Sequence, residues 1–74
     1  MLERHVLLEV LAGGEEILLE DGSKWRINPD DISIVGDWPS WSVIQIKLID
    51  EIVSYSHELT NMRTNASVRA RRGD

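Results

Sequence analysis

Apolar and polar residues alternate with a period of two over most of the chain, the signature of short strands that bury one face. Val6, Leu8 and Val10 alternate with Leu7, Glu9 and Leu11, predicting a first strand that Ala12-Gly13-Gly14 ends in a turn. Ile17 and Leu19 alternate with Leu18 and Glu20, and Trp25 and Ile27 alternate with Lys24 and Arg26. Between these two runs stands Asp21-Gly22, a dipeptide that accepts the positive φ angles of a two-residue hairpin turn. Asn28-Pro29-Asp30-Asp31 suits a turn or a single helical turn, because proline fixes its own φ and pushes Asn28 out of the helical region. Ile32 to Val35 then reads as a short strand ended by Gly36-Asp37, and Trp38-Pro39-Ser40-Trp41 as a rigid connector.

From Ser42 to Leu48, the residues Ile44, Ile46 and Leu48 share one face and Val43, Gln45 and Lys47 the other, in a run rich in β-branched side chains. Ile46, Ile49, Val53 and Leu59 also approximate a helical stripe, so residues 46 to 59 read either as a helix or as two strands. The two-strand reading is preferred, with Asp50-Glu51 as the turn and Tyr55, His57 and Leu59 on one face of the second strand. Asn61 to Asn65 has turn composition, and Ala66, Val68 and Ala70 alternate with Ser67, Arg69 and Arg71 in a final strand. The expected fold is all-β: a single small barrel of five to six short antiparallel strands, an OB-like or Src-homology-like meander. It spans residues 1 to 74, with 71 to 74 as a mobile tail.

Composition narrows what such a barrel can do. With 74 residues and no cysteine, there is room for one core and no disulfide to restrain the unfolded chain. A domain of this size buries only about 60% of the surface it exposes when unfolded, so nearly every apolar side chain is needed inside and little interior is left for a deep pocket. The net charge of -5 is unevenly spread: residues 1 to 60 carry four basic and twelve acidic side chains, and residues 61 to 74 carry four arginines and one aspartate. An acidic body repels phosphate backbones and anionic lipid, which argues against nucleic acid as a partner. The longest mostly apolar stretch, Val43 to Val53, is interrupted by Gln45, Lys47, Asp50 and Glu51, so no membrane insertion is expected. No signal peptide is legible, and of the compartments the cytoplasm is favoured.

Several of these residues also form a recognisable pattern: Asp21, Gly22, Ser23 and Trp25; then Trp38, Ile44 and Ile46; then Tyr55, Leu59, Asn61, Thr64, Val68 and Ala70. The pattern, over about residues 17 to 72, resembles a family of small, mostly uncharacterised bacterial β-barrel domains. The resemblance implies architecture and no chemistry. It departs at Trp41 and Ser42, where the pattern carries glycine and aspartate.

Catalytic chemistry finds no support. No serine stands in a nucleophile-elbow sequence, and His5 and His57 are far apart with no second ligand at a metal-binding spacing. Gly13-Gly14 lacks the longer glycine pattern of a phosphate cradle and is followed by Glu15 and Glu16. No enzyme activity, metal or small-molecule cofactor is therefore expected. Asn65-Ala66-Ser67 and Arg72-Gly73-Asp74 spell short known motifs that arise readily by chance and are set aside. Trp25 belongs in the core. Trp38 and Trp41 either plug one end of the barrel or offer a stacking surface, and Trp41 is the better placed for contact. The candidate interaction surface is Trp38, Trp41, Arg69 and Arg71. The expected function is a non-enzymatic protein-interaction or accessory module, binding an unidentified protein or itself through that surface or through free sheet edges. The alternative is single-stranded nucleic-acid binding on an OB-like face, with Trp41 stacking and the C-terminal arginines contacting phosphate.

Overall fold

The computed structural model describes residues 2–73 as a closed six-stranded antiparallel barrel in the order β1-β2-β3-β6-β5-β4. The strands are β1 (Leu2–Leu11), β2 (Glu16–Leu19), β3 (Lys24–Ile27), β4 (Val43–Leu48), β5 (His57–Asn61) and β6 (Ser67–Arg72). Each half, β1 to β3 and β4 to β6, is a three-stranded meander. The halves join at two seams, β1 against β4 and β3 against β6.

The long strand β1 serves both neighbours. Leu2 to Val6 pair with β4, and Leu7 to Leu11 pair with β2, with a register shift between Leu7 and Glu9. That bulge changes the phase of the alternation. Leu7 is fully buried before it and Val10 packs on the core after it, so the single face expected for Val6, Leu8 and Val10 does not form.

The turn between β2 and β3 spans three residues instead of two. Leu19 N–H donates to Ser23 O and Gly22 N–H to Leu19 O, and Gly22 alone in this turn has positive φ, at 88°. This is the loop type that ends in a left-handed glycine. Asp21 Oδ1 accepts from both the amide and the hydroxyl of Ser23, whose Oγ accepts from Trp25 Nε1 at 3.1 Å. One hydrogen-bonded chain therefore links Asp21, Ser23 and Trp25 across the turn whose left-handed position Gly22 fills. Asn61 organises the β5–β6 turn similarly: its Oδ1 accepts from the amides of Arg63 and Thr64.

Two expected strands differ. Pro29–Asp31 forms a 3-10 turn, as its composition suggested, but it runs on into a single helical turn, α1 (Ile32–Val35), where a strand was expected. Four β-branched and polar residues suit either state. Here Asn28 caps the preceding turn and Gly36 N–H closes α1 on Ile32 O, which buries Val35 and leaves Ile34 outside. The strand expected before Leu59 begins only at His57 and continues to Asn61. Residues 49 to 56 form a loop in which the amides of Ile49 and Asp50 both donate to Ser56 O, so Tyr55 lies outside the strand. The expected tail is also shorter: Arg71 and Arg72 belong to β6, and Gly73 N–H donates to Lys24 O at 2.8 Å. Asp74 lies outside the described residues.

Inward-facing Leu7, Ile17, Leu19, Trp25, Ile27, Ile44, Ile46, Leu59, Val68 and Ala70 fill the interior, and Val35 and Trp38 complete the core from outside the strands. Among the described residues no helix is long and apolar enough to cross a membrane. Gly14 sits where the first connection presses on α1: its φ is 113°, and a Cβ there would lie 2.5 Å from Ile32 O. Gly22 has positive φ with open space around it. Gly14→Ala should therefore lower the unfolding free energy by roughly 2–3 kcal/mol, and Gly22→Ala by only about 1 kcal/mol, in urea titrations.

Candidate functional site

The two ends of the barrel differ. One end is closed by Trp38, which is 6% exposed and follows directly on α1 and Asp37. Its amide donates to Val35 O, so the helical turn sets where the indole sits. Trp38 thus acts as a plug and offers no stacking surface.

The opposite end opens into a cavity of about 220 Å³ lined by Glu3, Trp25, Ile46, Leu48, His57 and Arg72. These are the inward positions at the ends of five strands, where the barrel interior changes from apolar to ionisable. Trp25 forms its floor: the His57 ring meets it edge to face at 4.9 Å, and the Arg72 guanidinium lies 5.4 Å from its centroid. His57 Nδ1 and Ser56 Oγ are hydrogen-bonded at 2.8 Å, and Glu58 lies on the outer face beside Arg69 and Lys47. Burial pushes the His57 imidazole below the ordinary histidine value, the Arg72 charge adds to this, and Glu3 opposes it. Near the same rim, the His5 ring lies 3.4 to 3.8 Å from carboxylate oxygens of Glu3, Glu20 and Asp21. Asp21 is held below its usual value by the hydrogen bonds from Ser23, with His5 and Arg72 assisting.

Trp41 is placed differently from Trp38. It is 71% exposed and its backbone is left-handed, with φ of 70°. Its amide donates to Leu7 O at 2.6 Å, which pins the connector against β1, and Ser42 Oγ donates to Pro39 O within the same turn. A glycine would occupy this backbone conformation without strain. Val43 and Met62, also exposed, lie next to it in the fold: Val43 two residues on, and Met62 with its amide on Val43 O.

Arg69 and Arg71 are on the outer face of β6. Arg69 donates through Nε and a terminal nitrogen to Tyr55 O, and Arg71 stacks on the Tyr55 ring at 5.8 Å. In the closed order β6 is three strands from β1 in either direction. Trp41, tied to β1, and the outward arginines of β6 therefore face opposite sides of the barrel. No one pair of neighbouring strands carries both the connector of Trp41 and the arginines of β6. Closure also removes the free edges of an incompletely closed barrel as the route to a partner.

The basic residues that do accompany Arg69 and Arg71 are Lys24 and Arg26, on the outer face of β3. Sequence alternation already put both pairs on outward positions. What it lacked was the β3–β6 pairing that makes them neighbours.

No protein-family model, curated protein or solved structure matches the chain, so the functional reading rests on this geometry.

The direction of the His57 shift has a measurable consequence. A histidine whose folded pKa is depressed contributes stability that is present above its unfolded value, about 6.5, and is lost as pH falls through the folded value. The wild-type urea midpoint should carry that loss on acidification, and His57→Gln should remove it; a midpoint profile unchanged by the substitution would contradict the assigned environment. The loss due to Asp21 runs in the same direction but falls below about pH 4, so the two are separable.

Proposed function

We propose that this domain is a non-enzymatic interaction module whose principal contact residue is Trp41. The observation that carries this reading is that Trp41 combines a left-handed backbone with an exposed indole. The left-handed conformation costs a non-glycine residue about 1–2 kcal/mol, and a side chain 71% exposed recovers little of that by burial. The bond from the Trp41 amide to Leu7 O would hold this backbone with glycine as well, so the exposed indole in place of glycine is accounted for by a return on binding. Val43 and Met62 widen the apolar surface beside it, and Val6 adds to it from the adjacent strand as the cross-strand partner of Val43. Because the barrel is closed, recognition by strand addition is disfavoured and side-chain contact is the remaining mode.

The test separates stability from binding in one substitution. Trp41→Gly should leave the urea midpoint unchanged or raise stability by up to about 1 kcal/mol. The same variant, immobilised, should lose the protein retained by the wild-type domain from a lysate of its own source. A lower midpoint would give Trp41 a structural role, and equal retention by the two forms would reject it as the contact.

A further inference from the structure

The outer face of β3 and β6 concentrates half of the chain's eight lysines and arginines on two neighbouring strands: Lys24 and Arg26 on one, Arg69 and Arg71 on the other. Arg26 and Arg71 are direct cross-strand partners. Like charges directly opposite in a sheet are destabilising, so this arrangement is unfavourable for the isolated fold. The flanking strands do offer carboxylates, with Glu16 opposite Arg26 and Glu58 opposite Arg69. Yet neither Glu16 nor Glu58 forms an ion pair with Lys24, Arg26, Arg69 or Arg71; the ion pairs around His5 lie elsewhere. Arg69 turns instead to the Tyr55 carbonyl and Arg71 to the Tyr55 ring. The result is a compact basic strip with an aromatic border on a protein of net charge -5.

We propose that this strip is a docking site for a short, extended acidic segment of a partner protein, with carboxylates at alternate residues. The spacing carries the assignment. Lys24 and Arg26, like Arg69 and Arg71, are two residues apart on a strand, about 6.8 Å, and the two rows are about 4.8 Å apart. An extended segment with acidic residues at every second position presents carboxylates at the same repeat. Arg26 and Arg71 can each grip a carboxylate through two parallel hydrogen bonds, with Lys24 and Arg69 adding charge on either side. A nucleic acid fits less well, because its charge continues beyond the strip and meets Glu16, Glu58 and the rest of the acidic body. This site is independent of Trp41, which lies on the other side of the barrel.

The probe is a fluorescein-labelled peptide of about eight residues alternating glutamate with threonine, followed by anisotropy at low salt. The wild-type domain should bind it, and added salt should weaken binding. Arg26→Gln and Arg71→Gln should each reduce affinity roughly fivefold or more while raising the urea midpoint, because the like-charge pair is gone. Lys47→Gln, on the outer face of β4, and Trp41→Gly should bind as the wild type does. The proposal is overturned if Arg26→Gln binds unchanged, or if a peptide of the same composition with its glutamates contiguous binds equally well. Tighter binding of a single-stranded oligonucleotide of equal charge would also overturn it.

Discussion

Ten consecutive residues of β1 pair first with β4 and then with β2, and the bulge at Leu8 lets one strand do both. Everything else in the fold depends on that hand-over. It closes the sheet on itself, so residues as distant in sequence as Leu7, Ile44 and Val68 line one interior. A core this small has no surplus. The strands supply most of it, and Val35 and Trp38 seal one end by way of a single helical turn. Gly14 is held in place by the same economy, because the first connection must pass within van der Waals reach of the α1 backbone.

Closure has consequences for recognition. A barrel satisfies its own strand edges, so what it presents to other molecules is its ends and its outward side chains. One end is plugged; the other is a shallow mouth where Trp25 carries His57 and Arg72. Outside, the distinctive features are an exposed Trp41 held in a strained backbone and a basic strip on β3 and β6. Both arrangements are unfavourable for the isolated domain, and both become intelligible if stability is exchanged for contact with something else.

Much of the fold was legible in the residues. Period-two alternation located all six strands, and Trp25, Ile27, Ile44, Ile46, Leu59, Val68 and Ala70 are inward as that alternation predicts. Turn chemistry placed the connections at Gly13-Gly14, Asp21-Gly22 and Asn61 to Asn65. The errors fall where local signals are ambiguous. Ile32 to Val35 is too short for a period to be measured, and its helical state comes from the capped turn before it. Tyr55 matched the phase of β5, but the loop's own hydrogen bonds hold it outside the strand. The bulge in β1 was invisible because both phases of Val6 to Leu11 are apolar except at Glu9, so Leu7 and Val10 could each be placed inside. Of the expected surface, Trp41 stood open between plug and contact, and neither its exposure nor its distance from Arg69 and Arg71 could be read along the chain.

The sequence by itself determined where the six strands of the barrel run, which side of each strand but β1 is buried, and most of the places where the chain turns. Those properties follow from backbone preferences and from burial at i and i+2, and both are local. Only the tertiary structure decided which strands are neighbours. It joined Lys24 and Arg26 to Arg69 and Arg71, parted them from Trp41, and sent Trp38 inward while Trp41, three residues later, stayed outside. Such choices depend on how the chain crosses from β3 to β4 and on how β1 is shared, and no periodicity along the chain records pairings made across it.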